Sequence, residues 1–141
     1  VLIGTTQHFC IAMMDIDHFK KLNDAFSHST GDKALTHFAK VIKKVKRLSD
    51  VIARYGGEEF ILILPNTEQD DGVKVMEHVQ RQLTKKFFMY SDEHVVITFS
   101  AGVAQRIVEE TSEEIISRAD TALYAAKNAG RNRVIPANVQ Q

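Results

Sequence analysis

The stretch DVIARYGGEEFILILP, Asp50 to Pro65, decides how this chain is read. Two glycines and two glutamates interrupt two apolar, β-rich runs, Val51 to Tyr55 and Phe60 to Leu64. Gly56-Gly57 between such runs signals a hairpin, with glycine supplying the positive φ that a tight turn needs. Glycines beside acids also leave the backbone bare, so a ligand can approach closely. Glu58 and Glu59 are neighbours on a strand and point to opposite faces, so each can serve a different task. A solvated hairpin tip carrying two charges is the simpler reading of the same residues.

Working outward, HFCIAMMDID reads as a strand buried on both faces, from Phe9 to Asp15. A short helix, FKKLNDAFS, follows it. A longer helix starts near Thr30, with Leu35, Phe38, Ile42 and Val45 on one stripe and lysines opposite. Beyond the hairpin, Val73, Met76, Val79 and Leu83 mark a third helix. VVITFSAGV alternates as a half-buried strand. Thr111 and Glu114 have capping-box spacing, and Ile115, Ala119, Ala122, Leu123 and Ala126 stripe the helix they open. Gly130 stands where a helix C-terminus favours glycine, and RVI is a last short strand. Strand, helix, helix, hairpin, helix, strand, helix, strand predicts an α+β fold, a sheet with helices packed on it.

The chain has 141 residues, 44% of them hydrophobic, and reads as one domain over 1–141 with a core from about 9 to 135. Lys plus Arg equals Asp plus Glu, 18 each, so the net charge is zero. That excludes a broad electrostatic grip on nucleic acid or anionic membrane, and leaves room for a small local anion site. Cys10 is the single cysteine, so no disulfide forms within the chain; it reads as a small buried hydrophobe in a reducing compartment. No apolar run approaches the roughly 20 residues of a membrane span. The opening VLIGTTQH lacks the features of a signal peptide, and PANVQQ reads as a frayed tail.

Three further groups carry chemistry. Asp15 and Asp17 alternate at a strand end, where two carboxylates emerging together suit a hard cation; Asp17 is equally placed as a helix N-cap. Asn23 and Asp24, with TGDKAL beyond them, offer an amide and carboxylates able to read a guanine edge, or ordinary turn chemistry. Lys127 and Arg131 stand four apart across a helix end, able to converge on phosphates or simply to sit well at a helix C-terminus.

In combination and in this order, RYGGEEF, DIDHFKKLND, the Gly31-Asp32 pair and RADTALYAAKNAGRNRV resemble the GGDEF family of diguanylate cyclases, from about Phe9 to Val134. The resemblance implies a mostly antiparallel central sheet flanked by helices, similar to the nucleotidyl cyclase and polymerase palm. It implies condensation of two GTP into cyclic di-GMP with release of two pyrophosphates, in an active site shared by two subunits. Asp15, Glu58, Glu59 and the carbonyl of Ile16 match the ligands of two Mg²⁺ ions (or Mn²⁺) per site. Glu59 also matches the acid that assists the attacking 3′-hydroxyl. Asn23 and Asp32 match the guanine readers. Lys20, Lys127 and Arg131 match the phosphate-binding cations, and Lys20 and Glu58 count with Glu59 among the catalytic groups. The backbone at His18 and Phe19 matches the phosphate cradle, and Gly56 and Gly57 match the turn that admits ribose and α-phosphate.

RLSD, Arg47 to Asp50, matches the family's RxxD site for inhibition by the product. A further arginine comes from the next helix in many members; here Gln80 holds that position and Arg81 lies beside it. VLIGTTQH does not match the family's upstream D-LTGL-NRR segment, which leads from a sensor domain, so that segment is expected to be absent or cut away. The expected partners are GTP, cyclic di-GMP and a second copy of the chain, with no nucleic acid and no membrane contact by this domain. A GTP substrate implies the cytoplasm, with the parent protein free to be membrane-anchored. A second reading is a GTP or cyclic di-GMP binding module without turnover; the intact GGEEF favours the enzyme.

Overall fold

The computed structural model describes residues 8–25 and 28–138. The readings of residues 1–7, of Phe26 and Ser27, and of the last three residues lie outside that range. The elements run β1 (Phe9–Ile16), α1 (Phe19–Ala25), α2 (His28–Val45), β2 (Val51–Arg54), β3 (Glu59–Pro65), α3 (Gln69–Lys85), β4 (Phe88–Tyr90), β5 (Glu93–Val95), β6 (Phe99–Gln105), α4 (Ser112–Asn128) and β7 (Val134–Pro136). Five strands form one sheet in the order β2-β3-β1-β6-β7, antiparallel except for the β6–β7 pair. The α+β expectation holds, with helices on both faces.

β1 is the central strand, and its near-continuous apolar run follows from being covered on both sides. One face packs with α2 and α3 around Phe38, Phe60, Phe99, Met76 and Leu83. The other, smaller face packs Ile11, Met13 and Ile61 under Ile115, Ala119 and Leu123 of α4. Cys10 is fully buried in the first layer, where desolvation pushes its thiol up to about 12.

The alternation of VVITFSAGV misleads. β5 ends at Val95, β6 begins at Phe99, and β6 is buried on both faces rather than half-buried. A second sheet of two strands, β4 and β5, turns through Ser91 and Asp92, both at positive φ (49° and 65°). Sequence periodicity missed it because each strand is three residues long.

α4 opens with the predicted capping box. The Glu114 amide donates to Thr111 Oγ1, and the Thr111 amide donates to Glu114 Oε1. Its predicted stripe is buried throughout. The helix lies so close to β6 that a Cβ at Gly102 would stand 2.1 Å from the Ala119 carbonyl oxygen. Small residues on α4 and glycine on β6 thus set the depth at which the helix rides, and with it the position of Lys127 in its last turn. None of the described helices is long and apolar enough to cross a membrane.

Candidate active site

Antiparallel pairing brings three acids from two strands to one end of the sheet. Asp15, next to last in β1, stands opposite Glu59 at the start of β3, with Glu58 just before it. Asp15 is 6% exposed. Lys127 reaches across from α4 and donates to Asp15 Oδ2 at 2.5 Å. The other carboxylate oxygen, Oδ1, is buried and has no hydrogen-bond partner. Buried carboxylate oxygens are ordinarily satisfied, so this atom marks an incomplete site.

The electrostatics agree. Burial and then the Asp15 charge hold Glu58 above the ordinary carboxyl range, Lys127 only partly offsetting them. Asp15 is thus the chief charged neighbour acting on Glu58. Glu59 is raised for the same reasons, burial first, then Asp15 and Asp120. Three carboxyl groups against one ammonium leave a surplus of negative charge that a divalent cation would neutralise, and oxygen-rich sites select Mg²⁺ or Mn²⁺. Among the described residues no three acidic, His or Cys groups are yet gathered around one point. Asp15, Glu58 and Glu59 are the carboxylates that would hold such a cation, with the open Asp15 Oδ1 as one available ligand atom.

Two expectations need correction here. Gly56 and Gly57 are not at positive φ; Gly130 is the one such glycine among the described residues. The connection between β2 and β3 runs over residues 55–58 and is longer than a two-residue turn, so left-handed backbone is not required. The glycines instead leave space: a Cβ at Gly57 would meet nothing within 4 Å, and one at Gly56 would press on Glu59 Oε1 at 3.1 Å. Glu58 immediately precedes β3 and Glu59 opens it, and the charges of Asp15 and Lys127 act on both. Finally, Asp15 and Asp17 do not form a pair. The Asp17 carboxylate accepts from Thr98 Oγ1 (2.7 Å), Ser100 Oγ (2.6 Å) and the Asn132 amide (2.9 Å). It is neither a metal ligand nor an N-cap. It fastens β6 and the turn after α4 to the end of β1.

That turn carries Arg131, at φ 62° and exposed, four residues beyond Lys127. Gln80 of α3 donates to the Asn132 carbonyl (2.8 Å) and to its side-chain oxygen (3.0 Å). Asp17, Asn132 and Gln80 therefore position the Arg131 turn. Sequence reasoning missed them because their partners lie 52 to 115 residues away.

Asn23 of α1 is partly buried, and its Oδ1 has no partner. It rests against Gly31, where a Cβ would lie 1.9 Å from Oδ1. Asp32, exposed, is the next residue. An unsatisfied amide oxygen beside a free carboxylate is a donor-seeking pair, as a guanine edge requires. Lys20 is exposed on α1. His18, at φ 57°, and Phe19 form the junction of β1 and α1. The carbonyl of Ile16 belongs to the last residue of β1.

Arg47 and Asp50 grip each other. The guanidinium donates to both carboxylate oxygens at 2.8 to 3.1 Å, and also to Thr67 Oγ1 at 2.6 Å. The Asp50 side chain is fully buried and the Arg47 side chain half exposed. Arg81 is exposed on α3 and has no ion pair or side-chain hydrogen bond to either, among the described residues.

Comparison with known proteins agrees with this arrangement. Residues 3–133 match the family model described as diguanylate cyclase, GGDEF domain. Diguanylate cyclase A of Treponema denticola is 43% identical over 125 residues, 88% of this chain and 34% of that protein. Diguanylate cyclase VdcA of Vibrio cholerae is 41% identical over 138 residues, 96% of this chain and 41% of that protein. The chain thus spans well under half of these relatives. Among solved structures, the GGDEF domain of DgcB from Caulobacter crescentus, in complex with c-di-GMP, superposes with a TM-score of 0.88 at 38% identity, covering 92% of this chain and 78% of that one. The active GGEEF domain of a diguanylate cyclase from Vibrio cholerae gives 0.86 at 34% identity, covering 95% and 85%. With its acids, its sheet order and these matches in agreement, the chain belongs to the GGDEF family of diguanylate cyclase domains.

Proposed function

We propose that this chain is a single catalytic domain, with a core over about 9–135, that condenses two GTP molecules into cyclic di-GMP and releases two pyrophosphates. The observation that carries the reading is the gathering of Asp15, Glu58, Glu59 and Lys127 at one end of the sheet, with one Asp15 oxygen unsatisfied. One GTP binds per protomer, and two protomers meet face to face so that each 3′-hydroxyl attacks the other nucleotide's α-phosphate.

Asn23 and Asp32 read the guanine edge. Lys20, Lys127 and Arg131 hold phosphates, with the backbone of His18 and Phe19 behind them. The bare turn at Gly56 and Gly57 admits the ribose and α-phosphate. Glu59 takes the proton of the 3′-hydroxyl; burial and the Asp15 charge raise its affinity for a proton, which favours that role. The new P–O bond forms as the bond to the β-phosphate breaks, and the pyrophosphate leaves toward the lysines. Asp15, Glu58, Glu59 and the Ile16 carbonyl would hold two Mg²⁺ or Mn²⁺ ions, which neutralise charge on the entering and leaving oxygens. The remaining contribution is positional: two nucleotides held in line react as one molecule.

Product inhibition completes the proposal. Arg47 and Asp50, with Arg81 on the neighbouring helix, form a second site for cyclic di-GMP. The half-exposed guanidinium of Arg47 supports it, because that group has donors left for an anion. Arg47→Ala should leave initial rates unchanged and abolish slowing by added product. GTP as substrate puts the domain in the cytoplasm.

The deciding experiment is mass spectrometry of products from GTP and Mg²⁺ at several protein concentrations. Cyclic di-GMP formed at a rate rising faster than linearly with protein supports the dimeric cyclase. GTP binding without any product at every concentration overturns it.

A further inference from the structure

A zero net charge conceals a one-sided region on α2. A depression of about 370 Å³ is lined by His37, Lys40, Val41, Lys43, Lys44 and Lys86, four ammonium groups and an imidazole with no acid among them. Lysines on a helix are normally balanced by acids three or four residues away. Here none is. The ion pairs among the described residues are Arg47–Asp50, Arg118–Glu110 and Lys127–Asp15, and none uses these lysines. Four like charges around one hollow repel one another unless an anion enters.

His37 reports on the same place. Its ring packs on Phe88 at 5.2 Å, and its buried Nε2 has no hydrogen-bond partner. Burial first, and then the Lys86 and Lys40 charges, lower its proton affinity, while a hydrogen bond to the Lys86 backbone partly restores it. An adjoining hollow shares His37 and Lys40 and is lined also by Asp32 and Lys33. Val41 and the aliphatic stems of the lysines form the walls of the hollow, and the lysine head groups give it its charge.

We propose that the hollow between α2 and Lys86 is a binding site for a compact anion bearing clustered phosphate charge, separate from the nucleotide site and from Arg47 and Asp50. The lysine ammonium groups supply point charges that can rearrange around two or three phosphate groups. Free pyrophosphate and a phosphorylated lipid headgroup share this chemistry. Neither the proposed cyclase activity nor product inhibition requires the site.

The test is NMR of the chain titrated with inorganic pyrophosphate at low salt, beside co-sedimentation with vesicles containing phosphatidylinositol phosphate. Pyrophosphate should shift the amides of Val41, Lys44 and Lys86, and should raise the pH midpoint of the His37 ring. In Lys40→Glu/Lys44→Glu those shifts should weaken by roughly tenfold in apparent affinity, while any shifts near Lys127 persist. The milder Lys44→Gln, which preserves the helix, should lose part of the effect. Vesicle binding that disappears in the same variants, with free pyrophosphate inert, would assign the phosphate to a headgroup. Unmoved α2 amides together with vesicle binding that is absent or indifferent to the variants would overturn the proposal.

Discussion

Asp15 and Asp17 are two residues apart, both buried, both at the end of β1, and they live in opposite conditions. Asp17 receives three hydrogen bonds from β6 and from the turn after α4. Asp15 has one cation, two acidic neighbours and an oxygen with nothing to bind. A satisfied buried carboxylate holds a fold together. One left unsatisfied, with more acid crowded against it, weakens the fold and is ready for a ligand. The contrast separates architecture from chemistry more sharply than residue type does.

The largest effect should come from the unsatisfied side. Glu58→Ala or Asp15→Asn should lower cyclic di-GMP formation by about 1,000-fold or more, since charge stabilisation at the reacting phosphate is lost. Thermal melting should show neither variant less stable than the parent, because each removes a repelling charge. A variant that kept its activity would break the assignment of Asp15 and Glu58.

The satisfied side should respond in stability. Asp17→Ala abandons three donors, one of them buried with Ser100, and should cost about 3 kcal/mol in urea unfolding. If unfolding were unaffected while turnover vanished, Asp17 would belong with the chemistry and the contrast would collapse.

Smaller still is the effect expected at Gly31. A methyl group there displaces the Asn23 carboxamide. Gly31→Ala should reduce the preference for GTP over ITP, which lacks the 2-amino group, by about tenfold, through loss of one well-placed hydrogen-bonding group. Competition between the two nucleotides measures it.

The smallest effect is a pH dependence. Glu58 and Glu59 bind protons more tightly in the folded chain than the ordinary 4.5. The folded state therefore carries more bound protons than the unfolded one. This contribution to stability is fully present below the ordinary glutamate value and is lost as pH rises through the raised values. Without divalent cation, the melting temperature should fall across that window; with Mg²⁺ the fall should flatten, and Mg²⁺ should stabilise more at the upper end. Equal melting curves with and without Mg²⁺ would count against a cation at these acids.

Much of this was readable in the sequence wherever the signal was local. The capping box at Thr111, the stripe of α4 and the apolar run of β1 each depend on neighbours within a few residues, and each stands as read. Gly56-Gly57 pointed to the right place for the wrong reason, since open space rather than left-handed backbone is what the residues provide. Asp17 escaped because its donors are 81 to 115 residues away, a distance over which spacing carries no information. The β4–β5 hairpin escaped because three-residue strands are too short to show a period. The site residues Asp15, Glu58 and Lys127 became prominent through their company in a family pattern; the surplus of negative charge around Asp15 needed the fold.

Gly102 has a consequence for motion. Its contact with the α4 backbone is so close that any side chain there would push the helix off the strand. If that close packing makes the two elements one cooperative unit, their amide hydrogens should exchange with solvent at a common slow rate. Lys127 lies in the last turn of α4, and Asp15 near the end of β1, the strand that pairs with β6, so this packing helps set where the lysine meets the carboxylate.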